Sequence, residues 1–199
     1  GNGIVGESSD PANLKTSLFY CKRGFYTEAK PSDKVTIIMG MNPGTPLAED
    51  AELKDTSGVD RLAACLDIFH NNLNYSRKAF FTKLKRIMGM IAHADESTVF
   101  RHFVFTNLVK QSTRQKGQNF EKPDKALVDE GRDILRRELN LWNPIGIIGL
   151  GNNVRESLGG TKTLYGYKVE YIYHPSAPIS LEHRKKEAKQ IRRRFGSVT

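Results

Sequence analysis

Lys34-Val35-Thr36-Ile37-Ile38-Met39-Gly40-Met41-Asn42-Pro43-Gly44 is the stretch that decides the fold. A short apolar run rich in β-branched residues and ended by glycine reads as a strand buried on both faces, the kind found in parallel sheets. Three later runs have the same character, at residues 102–106, 144–149 and 168–173. Helical patterns fall between them. Residues 77–90 put Phe80, Phe81, Leu84, Ile87 and Met88 on one stripe at helical spacing. A second helix begins after Pro123, with Asp124 in an acidic first turn and Ala126, Leu127, Ile134, Leu135 and Leu139 as its apolar positions. The last, over 181–195, is strongly basic at Arg184-Lys185-Lys186 and Arg192-Arg193-Arg194. Strands alternating with helices predict one α/β domain over residues 1–199 with a mostly parallel sheet, its first 33 residues an extension packed on it.

Composition narrows the partners. The formal charge of +9 makes a polyanion, and nucleic acid first, a natural partner through counterion release. The two cysteines, Cys21 and Cys65, are too few for a four-thiolate zinc or iron–sulfur site. They read as two free thiols in a reducing compartment, with a single disulfide as the alternative. No apolar run reaches bilayer length, so no membrane partner is expected.

Chemistry concentrates at three strand ends. Gly40-Met41-Asn42-Pro43-Gly44 makes a tight turn whose backbone can approach a ligand closely and whose asparagine is displayed from a stiff loop. A plain strand-exit turn would use the same residues. Phe105-Thr106-Asn107-Leu108-Val109-Lys110 follows the second strand, and the planar amide of Asn107 carries a donor and an acceptor suited to a base edge, or to capping a turn. His174-Pro175-Ser176-Ala177-Pro178-Ile179-Ser180 follows the fourth. A histidine before a proline-stiffened turn suits donation to a developing anion, or simply ends a strand. The polar stretches 45–60 and 111–122 also lie just past strand ends, where open α/β sheets bind ligands.

In this order, GMNPG, FTNLVK and HPSAPIS before a C-terminal helix resemble the uracil-DNA glycosylase superfamily. GMNPG looks like the GxNPG form of the mismatch-specific and single-strand-selective branches, HPS like the superfamily's histidine loop, and TNLVK like the base-reading strand of the thermostable branch. LWNPIGIIGLG is similar to the third core strand, and the resemblance spans residue 34 to the C-terminus. It implies an αβα sandwich around a four-stranded parallel sheet. The implied activity is that of a monofunctional hydrolase of base-excision repair, acting as a monomer, which flips uracil or a related deaminated base out of DNA and cuts its N-glycosidic bond. Neither metal nor organic cofactor is implied. The implied compartment is the cytoplasm of a bacterium, with the nucleoid, or a eukaryotic nucleus.

The resemblance also assigns roles. Asn42 would position the attacking water, and His174 would donate to uracil O2 as charge develops there. Asn107 would read O4 and N3–H, within a pocket shaped by Gly40, Met41, Pro43 and Gly44. An aromatic would stack on the base; Tyr75, Phe69 and Phe80 are candidates, with Tyr75 preferred because Phe80 reads as a core residue of its helix stripe. Pro178 or Ile179 would fill the gap left by the flipped base. Ser176, Ser180, Lys110 and Arg184 would meet DNA phosphates, while Arg114, Lys116 and Arg192-Arg193-Arg194 read equally well as a solvated face. Three departures stand out. Gly44 replaces the tyrosine by which one branch excludes thymine, Ala177 replaces the proline often found after HPS, and residues 45–75 match no branch.

Two other functions compete. A relative that kept the fold and binds nucleic acid without turnover is one, since asparagine stands where a stronger base would be an aspartate. A nucleotide-cofactor enzyme is the other, because Gly149-Leu150-Gly151-Asn152-Asn153-Val154 resembles part of a dinucleotide-binding turn, without its full glycine spacing.

Overall fold

The computed structural model describes residues 4–7, 24–41, 78–109 and 123–196. In chain order these form β1 (Ile4–Glu7), β2 (Gly24–Thr27), β3 (Thr36–Gly40), α1 (Lys78–Ala92), β4 (Phe103–Asn107), α2 (Lys125–Trp142), β5 (Gly146–Leu150), α3 (Gly151–Ser157), β6 (Thr163–Leu164), β7 (Tyr167–Ile172) and α4 (Leu181–Phe195). The chain is an α/β protein whose sheet is mostly parallel and flanked by helices. Its strand order is β1-β2-β4-β3-β5-β7-β6. The middle four, β4-β3-β5-β7, are the four runs read from sequence, and they pair in parallel. The sheet is larger than the four strands expected. Among the described residues it gains three antiparallel strands, β1 and β2 beyond β4 and β6 beside β7. Two of these come from the first 33 residues, which contribute strands to the sheet rather than only packing on it.

Burial explains why the middle runs are strands. Ile37, Ile38 and Met39 are fully buried although they alternate between faces, which requires cover on both sides. Ile38, Phe103, Phe105, Ile148, Leu150 and Ile172 face α1 and α4, packing with Leu84, Met88, Ala188 and Ile191. Ile37, Met39, Val104, Ile147 and Val169 face α2 and α3, packing with Leu135, Leu139, Trp142 and Val154. Helix α2 starts one residue later than Pro-Asp suggested. Asp124 is its N-cap, its carboxylate accepting from the Leu127 N–H at 2.9 Å.

At its closest approach α2 lies against backbone. A methyl group at Gly131 would run into the Leu108 carbonyl oxygen and crowd the Val109 Cα at 3.5 Å. Backbone cannot step aside as a side-chain tip can. Gly131→Ala should therefore destabilise the protein by about 1–3 kcal/mol, the usual range for overpacking, even though alanine is the better helix former. Urea unfolding measures this, and a wild-type midpoint would show that the contact yields freely.

Candidate functional site

All four parallel strands end at one edge of the sheet, and the period of two puts their last residues on one face. Gly40 continues the Ile38 face, Asn107 the Phe103–Phe105 face and His174 the Ile172 face. Gly40, Asn107 and His174 thus belong to the side of the sheet covered by α1 and α4. Asn107 and His174 follow the outer two of the four strands, three spacings apart, or about 14 Å between backbones. An asparagine, a histidine and one planar ring between them fill such a gap.

Gly40 and Asn107 are partners in register. Pairing continues past the strands, as Leu108 N–H donates to the Gly40 carbonyl at 2.9 Å and Val109 N–H to the Met41 carbonyl at 2.8 Å. The roots of the two loops are therefore zipped together. Asn107 is 6% exposed, and its amide lies directly over Gly40: a methyl there would stand 2.5 Å from Asn107 Oδ1. Gly40 is glycine for room rather than for an unusual backbone angle. Among the described residues no hydrogen bond ties that amide down. On the other face Thr106 Oγ1 donates to the buried Glu138 carboxylate at 3.0 and 3.1 Å, which ties the strand end to α2.

His174 stands across the edge. Its Nδ1 accepts from the Ser176 N–H at 3.2 Å, so the neutral ring carries its proton on Nε2 as a donor. Burial pushes its pKa down from the usual histidine value, and the Arg184 guanidinium pushes the same way. The ring is neutral at neutral pH. Gly151, in the left-handed region at φ +84°, backs it, since a methyl there would meet His174 Cβ at 3.2 Å. The glycines of the 149–154 stretch serve packing: Gly151 makes room for His174 and Gly149 for the Tyr171 ring, 2.8 Å from a methyl in its place.

Phe80 is the residue that sequence reading set aside. It lies at the first turn of α1, half-buried, its ring centroid 5.2 Å from the His174 ring, tilted by 33°, and 6.4 Å from Phe105. The helical stripe did place it on the inward side. Its position over the sheet edge was not legible, because that depends on how far α1 slides along the strands.

Arg184 departs from expectation in the opposite sense. It is 6% exposed, with its guanidinium bonded to the carbonyls of Tyr173 and His174 and to Glu187. Its donors are turned inward, so it is not a phosphate contact. Ser180 is the N-cap of α4, its hydroxyl accepting from His183 N–H at 3.2 Å. Ser176 and Pro178 are exposed and Ile179 half-buried, in a turn closed by Ala177 N–H to the His174 carbonyl at 2.9 Å. Arg194 is committed too, 2.6 Å from the buried Glu170 carboxylate, while Arg193 is exposed. Asn42, Pro43, Gly44, Phe69, Tyr75, Lys110, Arg114, Lys116 and both cysteines lie outside the described residues. Among the described residues no helix is long and apolar enough to cross a membrane. No protein-family model matches the chain, and no curated protein sequence matches it.

The His174 shift has a consequence for stability. A folded-state pKa below the ordinary histidine value of 6.5 means that the unfolded chain binds this proton more readily. The contribution is present above about pH 6.5 and is lost as pH falls through the lowered folded value. Between neutral and acidic pH, His174→Gln should lose less stability than wild type in paired urea titrations. Parallel losses in the two proteins would contradict the shift.

Proposed function

We propose that this chain is a monofunctional DNA glycosylase of the uracil-DNA glycosylase type, an enzyme that removes uracil or a related deaminated base from DNA. The observation that carries the reading is the placement of two side chains: a buried Asn107 amide and a neutral His174 donor, at strand ends on one side of one sheet edge.

Uracil fits between them. Asn107 donates to O4 and accepts from N3–H; cytosine reverses both, and each orphaned group costs about 1–3 kcal/mol. Phe80 offers a ring for stacking beside His174. The glycosidic bond breaks with its electron pair passing to the base, and the negative charge spreads to O2, where the His174 Nε2–H meets it. A neutral donor there meets the developing charge from a preset position. Water, positioned by Asn42, then adds to the oxocarbenium-like C1′ and its proton passes to the uracil anion, leaving free uracil and an abasic site. Asparagine is a poor base, so the reaction leans on bond breaking ahead of water attack. The chain's net charge of +9 supplies affinity for phosphates, and Pro178 and Ile179 occupy the turn that would fill the gap in the duplex.

End-labelled oligonucleotides carrying uracil, single-stranded or opposite guanine, followed by alkali, test this. His174→Ala should lower the cleavage rate by about 10²–10³-fold, the usual effect of losing a donor to a developing oxyanion, and Asn42→Ala should abolish cleavage. Salt-sensitive DNA binding with no cleavage of uracil, hypoxanthine or xanthine substrates would replace this reading with a non-catalytic nucleic-acid binder. Gly40→Ala gives a separate check. By displacing the Asn107 amide it should weaken discrimination of uracil from cytosine by about tenfold or more, one lost hydrogen bond's worth; unchanged discrimination would remove Asn107 from base reading.

A further inference from the structure

Past Ile172 the chain leaves the strand ladder, and the backbone groups of Tyr173 and His174 need other partners. Two side chains of α4 provide them. Glu187 Oε1 accepts from the Tyr173 N–H at 2.8 Å. Arg184 donates through Nη1 to the Tyr173 carbonyl at 2.7 Å and through Nη2 to the His174 carbonyl at 2.8 Å. The two side chains are 7% and 10% exposed and are joined to each other at 3.0 Å. Three backbone groups in two residues are thus held by one ion pair, bracketing the Cα that carries the imidazole.

A buried ion pair is weak evidence for stability, because well-packed apolar residues often serve as well. An apolar pair, however, would satisfy none of these backbone groups. The planar fork of arginine reaches two carbonyls and a carboxylate at once, which lysine's single ammonium does not do with the same geometry. From the other sides the ring meets Phe80 of α1 and the Gly151 backbone.

We propose that Arg184 and Glu187 are the positioning pair of His174, a clamp that sets where its imidazole stands and keeps a permanent positive charge beside it. The inference rests on the proposed role of His174 as the donor to the departing base. The groups around the ring leave Arg184 as the charge that matters. Phe80 and Gly151 carry none, Ser176 offers a backbone N–H, Glu187 is turned to the Tyr173 N–H and Arg184 while the guanidinium itself reaches the His174 carbonyl, and His183 packs against Tyr173 at 5.3 Å. Guanidinium stays protonated throughout the range in which histidine titrates, so it opposes an imidazolium at every working pH.

The test uses the full chain with Arg184→Gln/Glu187→Gln, which removes both charges together and strands neither, and with Arg184→Lys. Uracil release is followed at saturating and limiting DNA, and the His174 ring is titrated by NMR, its signals assigned by their loss in His174→Gln. In the double variant turnover should fall by about 10²-fold, as for a displacement of roughly 1 Å, with KM little changed, and the His174 midpoint should rise. Arg184→Lys should keep the midpoint near wild type while turnover still falls. A folded double variant with an unmoved midpoint overturns the clamp, and so does wild-type turnover. Should the double variant not fold, Arg184→Lys decides: reduced turnover in a folded protein supports the clamp, and wild-type turnover overturns it. If the wild-type protein releases no base, the glycosylase reading fails and the His174 midpoint alone judges the clamp.

Discussion

Strand β3 is hydrogen-bonded in parallel to β4 on one side and β5 on the other, with residues 36–39 paired on both sides at once. Parallel pairing brings chain ends of like polarity to one edge, and both faces of such a strand must be covered. Once Ile37, Ile38 and Met39 are buried on alternating sides, the positions of Gly40 and Met41 follow. The added pairing of Leu108 and Val109 with Gly40 and Met41 extends this constraint two residues beyond the strands. The candidate site is built on the ends of strands paired on both sides.

Helix α4 completes it from the other side. Near its start, Arg184 and Glu187 hold the backbone around His174. Near its end, Gln190 and Arg194 hold the buried Glu170 of β7, with Lys162 at 3.6 Å. The middle of the helix packs through Ala188 and Ile191 on the sheet. Charged residues that look from the sequence like a cationic face divide in the fold: Arg184 and Arg194 are structural, while Lys185, Lys186 and Arg193 remain exposed.

The four central strands and the basic last helix were legible because their signals are local: β-branched apolar runs, glycine or proline boundaries, and a dense run of basic residues. Strands β1, β2 and β6 were not. They are two to four residues long and antiparallel, and their pairing partners supply the order that their own sequences lack. Asn107 and His174 were legible as side chains at strand ends, since position after a strand is a chain property. Phe80 was legible as a core residue of its helix stripe, and it packs against the core beside Phe81 and Phe105. Arg184 was misjudged, because whether an arginine finds carbonyls or solvent depends on how one element is set against another.

The turn between His174 and Ser180 has both feet fixed, one by the clamp and one by the helix cap. Only residues 175–179 lie between, and two of the five are proline, each with a locked φ. Fully stretched, five residues reach about 17 Å, but folded back between fixed feet they behave as a rigid knuckle. Such a knuckle does not search for a partner. A flexible polymer meeting it must do the bending, so the entropy of shaping this surface has been spent at folding, and the work of deformation falls on whatever docks there.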